Sequence, residues 1–429
     1  MFETGFGRRC ITPPVGTRLF GYPNNRKAES VHDDLYANVL AFRQGNISVL
    51  LISLDICVLS TEQAKQYRDI LAAQTGILAD NIIITAIHTH SGPNTKGVYG
   101  WGEMDDAFMG DILLPALQAA TQEAVEKLVP ARMGIGMTHS NAAINRRQRD
   151  NGRVILGQNP DGPYDPKMYM LSFSALDGTP IVNMIHYGAH PTACGPGPEI
   201  TRDWPGYMVD TVEERTGSPV VFFNGAEGDT GPRISNGYTI GDITYVEEVG
   251  VLAGKDAVKA WENVQPVEHV ELAVYTEEIS LLYDPLPSKE EVIQTLSELS
   301  GRKLTGTANT LKARCEGILA FYESGKPVET AWNFRQTVVK IGPVAIVPYP
   351  FEMFCEIAMK QQEKSPFLYT LCLSDGNGTE CYLPTEKEIP YGGYEVESFK
   401  RQRVFAFKDD TDKRIVAENG RLLQKLAKQ

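Results

Sequence analysis

Short apolar runs rich in Val and Ile, each stopping abruptly at a His, Gly or Pro, constrain this 429-residue chain more than any other feature. Runs at 47–55, 81–88, 168–175, 180–187 and 219–224 read as buried strands. Amphipathic stretches at 62–73, 106–128 and 245–264 read as the helices between them. Such strands separated by helices predict an α/β fold with some parallel pairing, a mixed sheet core with flanking helices. Beyond about residue 267 the pattern is less regular. A strand at 270–279 precedes a charged helical stretch at 288–324, the candidate for a helical insertion near 285–325. Two strands surround the Gly342-Pro343 turn, and 411–428 is an amphipathic helix with Ile415, Ala417, Leu422, Leu423 and Leu426 on its apolar positions. No linker divides the chain, so one large domain over 1–429 is expected.

The formal charge of −13 argues against nucleic acid or an anionic membrane as partner. The most apolar stretch, 49–60, is broken by Asp55 and is too short to span a bilayer. The opening MFETGFGRRCITPPVG has no apolar run after its arginines, unlike a secretory signal. Seven cysteines scattered singly suggest reduced thiols and a cytoplasmic setting.

Four of the seven histidines end apolar runs. In Ile87-His88-Thr89-His90-Ser91-Gly92-Pro93, residues i and i+2 of an extended chain face one way, so His88 and His90 can share a pocket at a strand tip. Neutral imidazoles there suit zinc; the alternative is a hydrogen-bonded pair closing a strand. In Ile185-His186-Tyr187-Gly188-Ala189-His190-Pro191, His190 sits at the strand-to-loop break and is the better ligand, and His186 is read as a core residue. In Gly225-Ala226-Glu227-Gly228-Asp229, Asp229 is either a partner that orients a metal-bound imidazole or a plain turn residue. Glu352, after Pro350-Phe351, completes a two-His-plus-Glu zinc set or else sits at a helix N-terminus. The segment from Tyr382 to Tyr394 offers phenol oxygens. Tyr99 and Trp101 are candidates for the pocket entrance or for packed surface aromatics.

Taken in order, these segments resemble the neutral (non-lysosomal) ceramidase family. The family's His-Thr-His-Ser-Gly-Pro is matched at 88–93, its Asn-Arg at Asn145-Arg146 and its His-Pro-Thr at His190-Pro191-Thr192. Its Gly-Asp-x-Ser-Pro-Asn loop corresponds to 228–233 and its Pro-x-Glu to Pro350-Phe351-Glu352. Its Tyr-x-x-Thr-x-x-Glu and following Tyr-Glu are matched by Tyr382, Thr385, Glu388, Tyr394 and Glu395. The resemblance implies that His88, His190, Glu352 and Tyr382 hold one zinc ion. It implies that His90, Arg146 and Tyr394 sit beside the substrate and that zinc-activated water attacks an amide carbonyl. The expected activity is therefore that of a metal-dependent amidohydrolase acting on a small-molecule or lipid-like N-acyl compound.

Three departures qualify that expectation. Gly231 replaces the family's loop serine, which removes a hydroxyl nucleophile and leaves the zinc route. Arg233 replaces the family's Asn, and Arg suits carboxylates, so Arg233 or Arg147 is expected to read an anionic group on a small acylated acid. The chain also ends without the immunoglobulin-like domain that secreted members carry, which argues for a small acylated substrate over ceramide. The rival readings are a true ceramidase acting on N-acyl sphingoid lipid, a Cys194 thiol enzyme, and a non-catalytic metal- or ligand-binding relative.

Overall fold

The computed structural model describes residues 1–23, 26–98, 102–304 and 307–429. Its organising element is a nine-stranded mixed sheet. The strand order is Val220–Asn224, Pro180–Tyr187, Lys167–Ala175, Val129–His139, Phe2–Cys10, Tyr36–Gln44, Ile47–Leu54 and Ile82–Ala86, and the short Gln265–Pro266 strand pairs with Val129–His139. The two ends of this sheet are parallel pairs and its middle is antiparallel. A second, four-stranded sheet contains Leu272–Leu282, Ala331–Ile341, Val344–Pro348 and Tyr369–Leu373, the last pair parallel.

The two sheets stack face to face. Leu40, Leu51, Phe173 and Met184 of the large sheet pack with Val339, Ile346 and Leu371 of the small one. Alternate residues of the same strands, such as Val39 and Ile52, face helices Thr61–Thr75 and Leu114–Glu126 instead. Helices Trp204–Thr216 and Ile243–Glu262 cover the other half of that outer face. The far side of the small sheet packs on Cys355–Lys364 and Thr411–Leu426. The architecture is therefore helix, sheet, sheet, helix, and strands buried on both faces explain why their apolar runs are nearly continuous.

The strands and helices expected from sequence are present within a few residues of their bounds. The stretch expected as one helix at 106–128 contains a π-helical turn, Phe108–Leu113, near its start, before Leu114–Glu126. The charged region at 288–324 forms two helices, Lys289–Leu299 and Thr307–Glu323, packed together through Val292, Cys315 and Ile318. Tyr99 and Trp101 lie outside the described residues. Among the described residues, no helix is long and apolar enough to cross a membrane.

Candidate metal centre and catalytic cleft

His88 follows the strand at one edge of the large sheet, and His190 follows the strand next to the opposite edge. They meet because the sheet curls until its edges touch. Ser53 Oγ donates to the Phe222 carbonyl at 2.6 Å. Asn224 Nδ2 donates to the carbonyls of Ile87 at 2.9 Å and Ala189 at 3.2 Å, tying together the turns that carry the two histidines. The expected sharing of one face by His88 and His90 in an extended strand does not hold. The strand ends at Ala86, and His88 has φ 72°, a left-handed conformation uncommon and strained for a residue with a Cβ. That turn, not the pleat, brings the rings together: centroids lie 4.6 Å apart for His88–His190, 5.1 Å for His88–His90 and 5.6 Å for His90–His190.

Glu352 and Tyr382 come from beside the small sheet, where Glu352–Met353 and Tyr382–Leu383 form a short parallel pair with Glu352 opposite Tyr382. Glu352 Oε2 stands 3.4 Å from His88 Nε2 and 3.3 Å from His190 Nε2. Among the described residues no hydrogen bond of ordinary geometry reaches it, although the carboxylate and the Tyr382 hydroxyl interact. His190 Nε2 is 3.2 Å from Tyr382 Oη. The other nitrogen of each ring is already engaged. His88 Nδ1 pairs with Asp375 Oδ2 at 2.7 Å, and His190 Nδ1 donates to the Glu227 carbonyl at 2.7 Å. Those partners put the protons on Nδ1 and leave the Nε2 lone pairs facing Glu352. Four oxygen and nitrogen atoms thus converge with more acceptors than protons. Atoms bound at roughly 2.0–2.1 Å around a tetrahedral zinc stand about 3.3–3.4 Å from one another, and the spacing here is of that size. The donor set fits a divalent cation.

The electrostatics agree. Burial alone would drag the His88 pKa down, but the Glu352 and Asp375 carboxylates raise it, the same negative field that would attract a cation. Burial, then the neighbouring cationic groups, pulls His190 and His90 well below the ordinary histidine value, so both are neutral at pH 7. Glu227 tucks its carboxyl beside Asp375, and burial there holds its pKa well up.

Arg146 lies in Ala143–Asp150, the middle strand of a small three-stranded sheet. Its Nη2 donates to Tyr382 Oη at 3.0 Å, and its Nε donates to Glu395 Oε1 at 3.0 Å. Tyr394 packs edge-on against Tyr382, with centroids 5.6 Å apart. Burial, reinforced by the Glu352 charge, keeps its phenol protonated. A cavity of about 330 Å³ opens onto this cluster. His88, His90, Arg146, Glu352, Tyr382 and Tyr394 line it, and Phe20, Tyr22, Val58, Val98, Leu156 and Ile240 make much of the remaining wall apolar. All seven residues that the resemblance implied for the metal and the substrate are thereby brought together, with His190 behind the wall.

Several expectations are corrected. Asp229 orients no imidazole: its carboxylate accepts from the Cys355 amide at 2.7 Å and lies 3.3 Å from Asn145 Nδ2. Asp375 takes that part. Neither arginine proposed to read an anion faces the cavity. Arg147 is consumed by Glu388, Glu395 and the Gly392 carbonyl. Arg233 donates to the carbonyls of Asn141 and Ala143. Gly231 is pressed against Thr239, whose Cβ would lie 2.7 Å from a side chain there, so serine would not fit unshifted. Cys194 is buried off the cavity and burial pushes its thiol up to about 12, which leaves no thiolate. His186 is a core residue, as expected, with Nε2 2.9 Å from the Cys372 carbonyl.

Sequence reasoning missed Asp375, Cys57 and Lys96, which border the cluster or its cavity. Asp375 carried a usable signal: it ends an apolar strand in Ser374-Asp375-Gly376-Asn377-Gly378, as His88 and His190 end theirs.

No protein-family model matches this chain, and no curated protein does. Solved structures do match it. A crystal structure of neutral ceramidase from Pseudomonas aeruginosa superimposes with a TM-score of 0.76, covering 100% of this chain and 74% of that one at 16% identity. A ceramidase complexed with C2 superimposes with a TM-score of 0.73, covering 99% of this chain and 74% of the other at 17% identity. The whole chain therefore has the fold of those enzymes.

Proposed function

We propose that this protein is a metal-dependent hydrolase of an amide (N-acyl) bond in a small acylated compound. His88, His190, Glu352 and Tyr382 would hold the metal, with zinc the preferred ion for two imidazoles and one carboxylate. The observation that carries the reading is Glu352 Oε2 standing 3.3–3.4 Å from two Nε2 atoms, with no ordinary hydrogen bond to it among the described residues. A zinc ion at such a site supplies Lewis acidity, polarising a carbonyl and making water acidic enough to attack at neutral pH.

The chain's own residues supply the rest. Asp375 and the Glu227 carbonyl fix the two ring tautomers. Tyr394, held protonated, is a hydrogen-bond donor for charge developing on the carbonyl oxygen, and Arg146 adds a fixed positive charge beside Tyr382. Each well-placed donor of this kind contributes roughly 3 kcal/mol. Neutral His90, on the cavity wall, can accept the proton shed by the attacking water and pass it on to the leaving amine. A cavity of about 330 Å³ lies at the small end of the roughly 300–1,000 Å³ typical of ligand pockets, which favours a compact substrate over a two-chain lipid. The second reading, a ceramidase acting on N-acyl sphingoid lipid, draws on the shared fold and the motif resemblance.

Turnover of a panel of N-acyl amides, with a short-chain ceramide among them, tests the proposal. Hydrolysis lost on chelation and restored by zinc is expected. Tyr394→Phe should keep its metal and lose about 10²–10³-fold in kcat. A metal-loaded protein that hydrolyses no amide would point instead to a non-catalytic binding relative.

A further inference from the structure

Two lysine or arginine side chains line the cavity, Lys96 and Arg146. Arg146 is satisfied by Glu395 and Tyr382. Glu397, an acidic group on the same wall, is paired with Arg401 at 2.6 Å. Lys96 is different. Its Nζ donates to the Thr379 carbonyl at 2.7 Å, and among the described residues no carboxylate lies within ion-pair distance of it. An ammonium carries three donors, so this one keeps two for a guest.

The position is held firmly. Asn94 Oδ1 accepts from the backbone amides of Lys96, at 3.3 Å, and Gly97, at 2.9 Å. Thr95 Oγ1 donates to the Val58 carbonyl. Thr379, which receives the Lys96 bond, also donates through Oγ1 to Asp375 Oδ1 at 2.6 Å, so Lys96 is tied to the loop that orients His88. Burial draws the ammonium's pKa below the usual lysine value, and an anion placed against it would reverse that effect.

We infer that Lys96 is the specificity-determining residue of this cleft and binds the carboxylate of an amide substrate. The ligand class is an N-acyl amino acid: an apolar acyl chain against Val58, Val98, Leu156 and Ile240, an amide at the His88–Glu352 cluster, and a carboxylate on Lys96. This assignment rests on the hydrolase reading for the chemistry, but the anion site stands on the lysine's placement. It supplies from a different residue the anion recognition that Arg147 and Arg233 cannot.

The test is calorimetric binding of N-hexanoylglycine and its neutral carboxamide, N-hexanoylglycinamide, to zinc-loaded protein, with hydrolysis of both measured in parallel. The wild type should bind the acid roughly 10–100-fold more tightly than the carboxamide, the range of a charge-assisted hydrogen bond. Lys96→Met and Lys96→Gln should each bring that ratio near one and leave carboxamide affinity within about threefold, and Lys96→Arg should keep most of the preference. A merely structural lysine would weaken both ligands together. Equal affinities in the wild type, binding of neither, or an unchanged ratio in the Met and Gln variants overturns the inference. A preserved preference with no turnover overturns the hydrolase reading and leaves the anion site standing.

Discussion

Asp375 fixes the His88 ring with one oxygen and takes the Thr379 hydroxyl with the other, while its own backbone sits at φ 51°. A carboxylate in that place raises the basicity of the candidate ligand nitrogen across the ring. Asp375→Asn should therefore weaken metal affinity about 10–100-fold with the fold intact, as a competition titration against a chelator would show. Unchanged affinity would mean that His88 needs no such partner. A second residue speaks to pH. Burial lifts Asp55 from 3.8 to about 7, with only the Tyr36 amide at 2.8 Å and nearby arginines in compensation. Between those values the folded chain keeps a proton that the unfolded chain has lost, so this group's contribution falls as pH rises from about 4 to 7. Asp55→Asn cannot titrate, and relative to wild type it should gain roughly 2 kcal/mol between pH 5 and 8 in urea denaturation. At this scale the sequence was legible wherever a candidate ligand ends an apolar strand, as His88 and His190 do. Asp375 and Lys96 reach the cluster through contacts made only on folding; Asp375 lies 287 positions from the His88 it orients.

Two strands carry glycines two apart, Gly5/Gly7 and Gly134/Gly136, and a helix lies directly on three of these four. A Cβ on Gly5 or Gly7 would come within 2.1 Å of the Ala124 or Ala120 carbonyl of Leu114–Glu126, and one on Gly136 within 2.1 Å of the Ala260 carbonyl of Ile243–Glu262. Residues i and i+2 share a strand face, so Gly5 and Gly7 form a smooth bed for helix backbone, while Gly134, beside Gly136, faces Val264 just past the helix end. Gly136→Ala should cost roughly 2–3 kcal/mol in chemical denaturation, since the neighbour is backbone and cannot step aside. Gly420→Ala, within Thr411–Leu426 and with open space around it, should instead gain up to about 1 kcal/mol. Equal effects at the two positions would refute the close-approach account. These beds also explain which strands the sequence hid. Phe2–Cys10 and Val129–His139 are interrupted by glycine and by charged or polar residues, so they lack the continuous apolar signature that marked Ile47–Leu54 and Pro180–Tyr187.

Across the whole molecule, the candidate centre sits where the curled large sheet meets the strands beside the small one. His88 and His190 come from the first, and Glu352, Tyr382 and Asp375 from the second. A cation there would bridge both halves, so zinc should raise the melting temperature with increasing concentration. A free-metal level of 1,000 times Kd corresponds to about 4 kcal/mol. Period-two and helical patterns marked the α/β class but could not reveal two stacked sheets, because strands buried on both faces look alike whether a helix or a second sheet covers them. The most direct measurement of the central claim is metal content, by mass spectrometry, of protein purified without chelator, beside a His88→Ala, His190→Ala double variant. About one zinc per chain in the wild type, lost in the variant, is the expected result. A wild-type chain that carries no metal and takes up none on exposure to zinc would contradict the account.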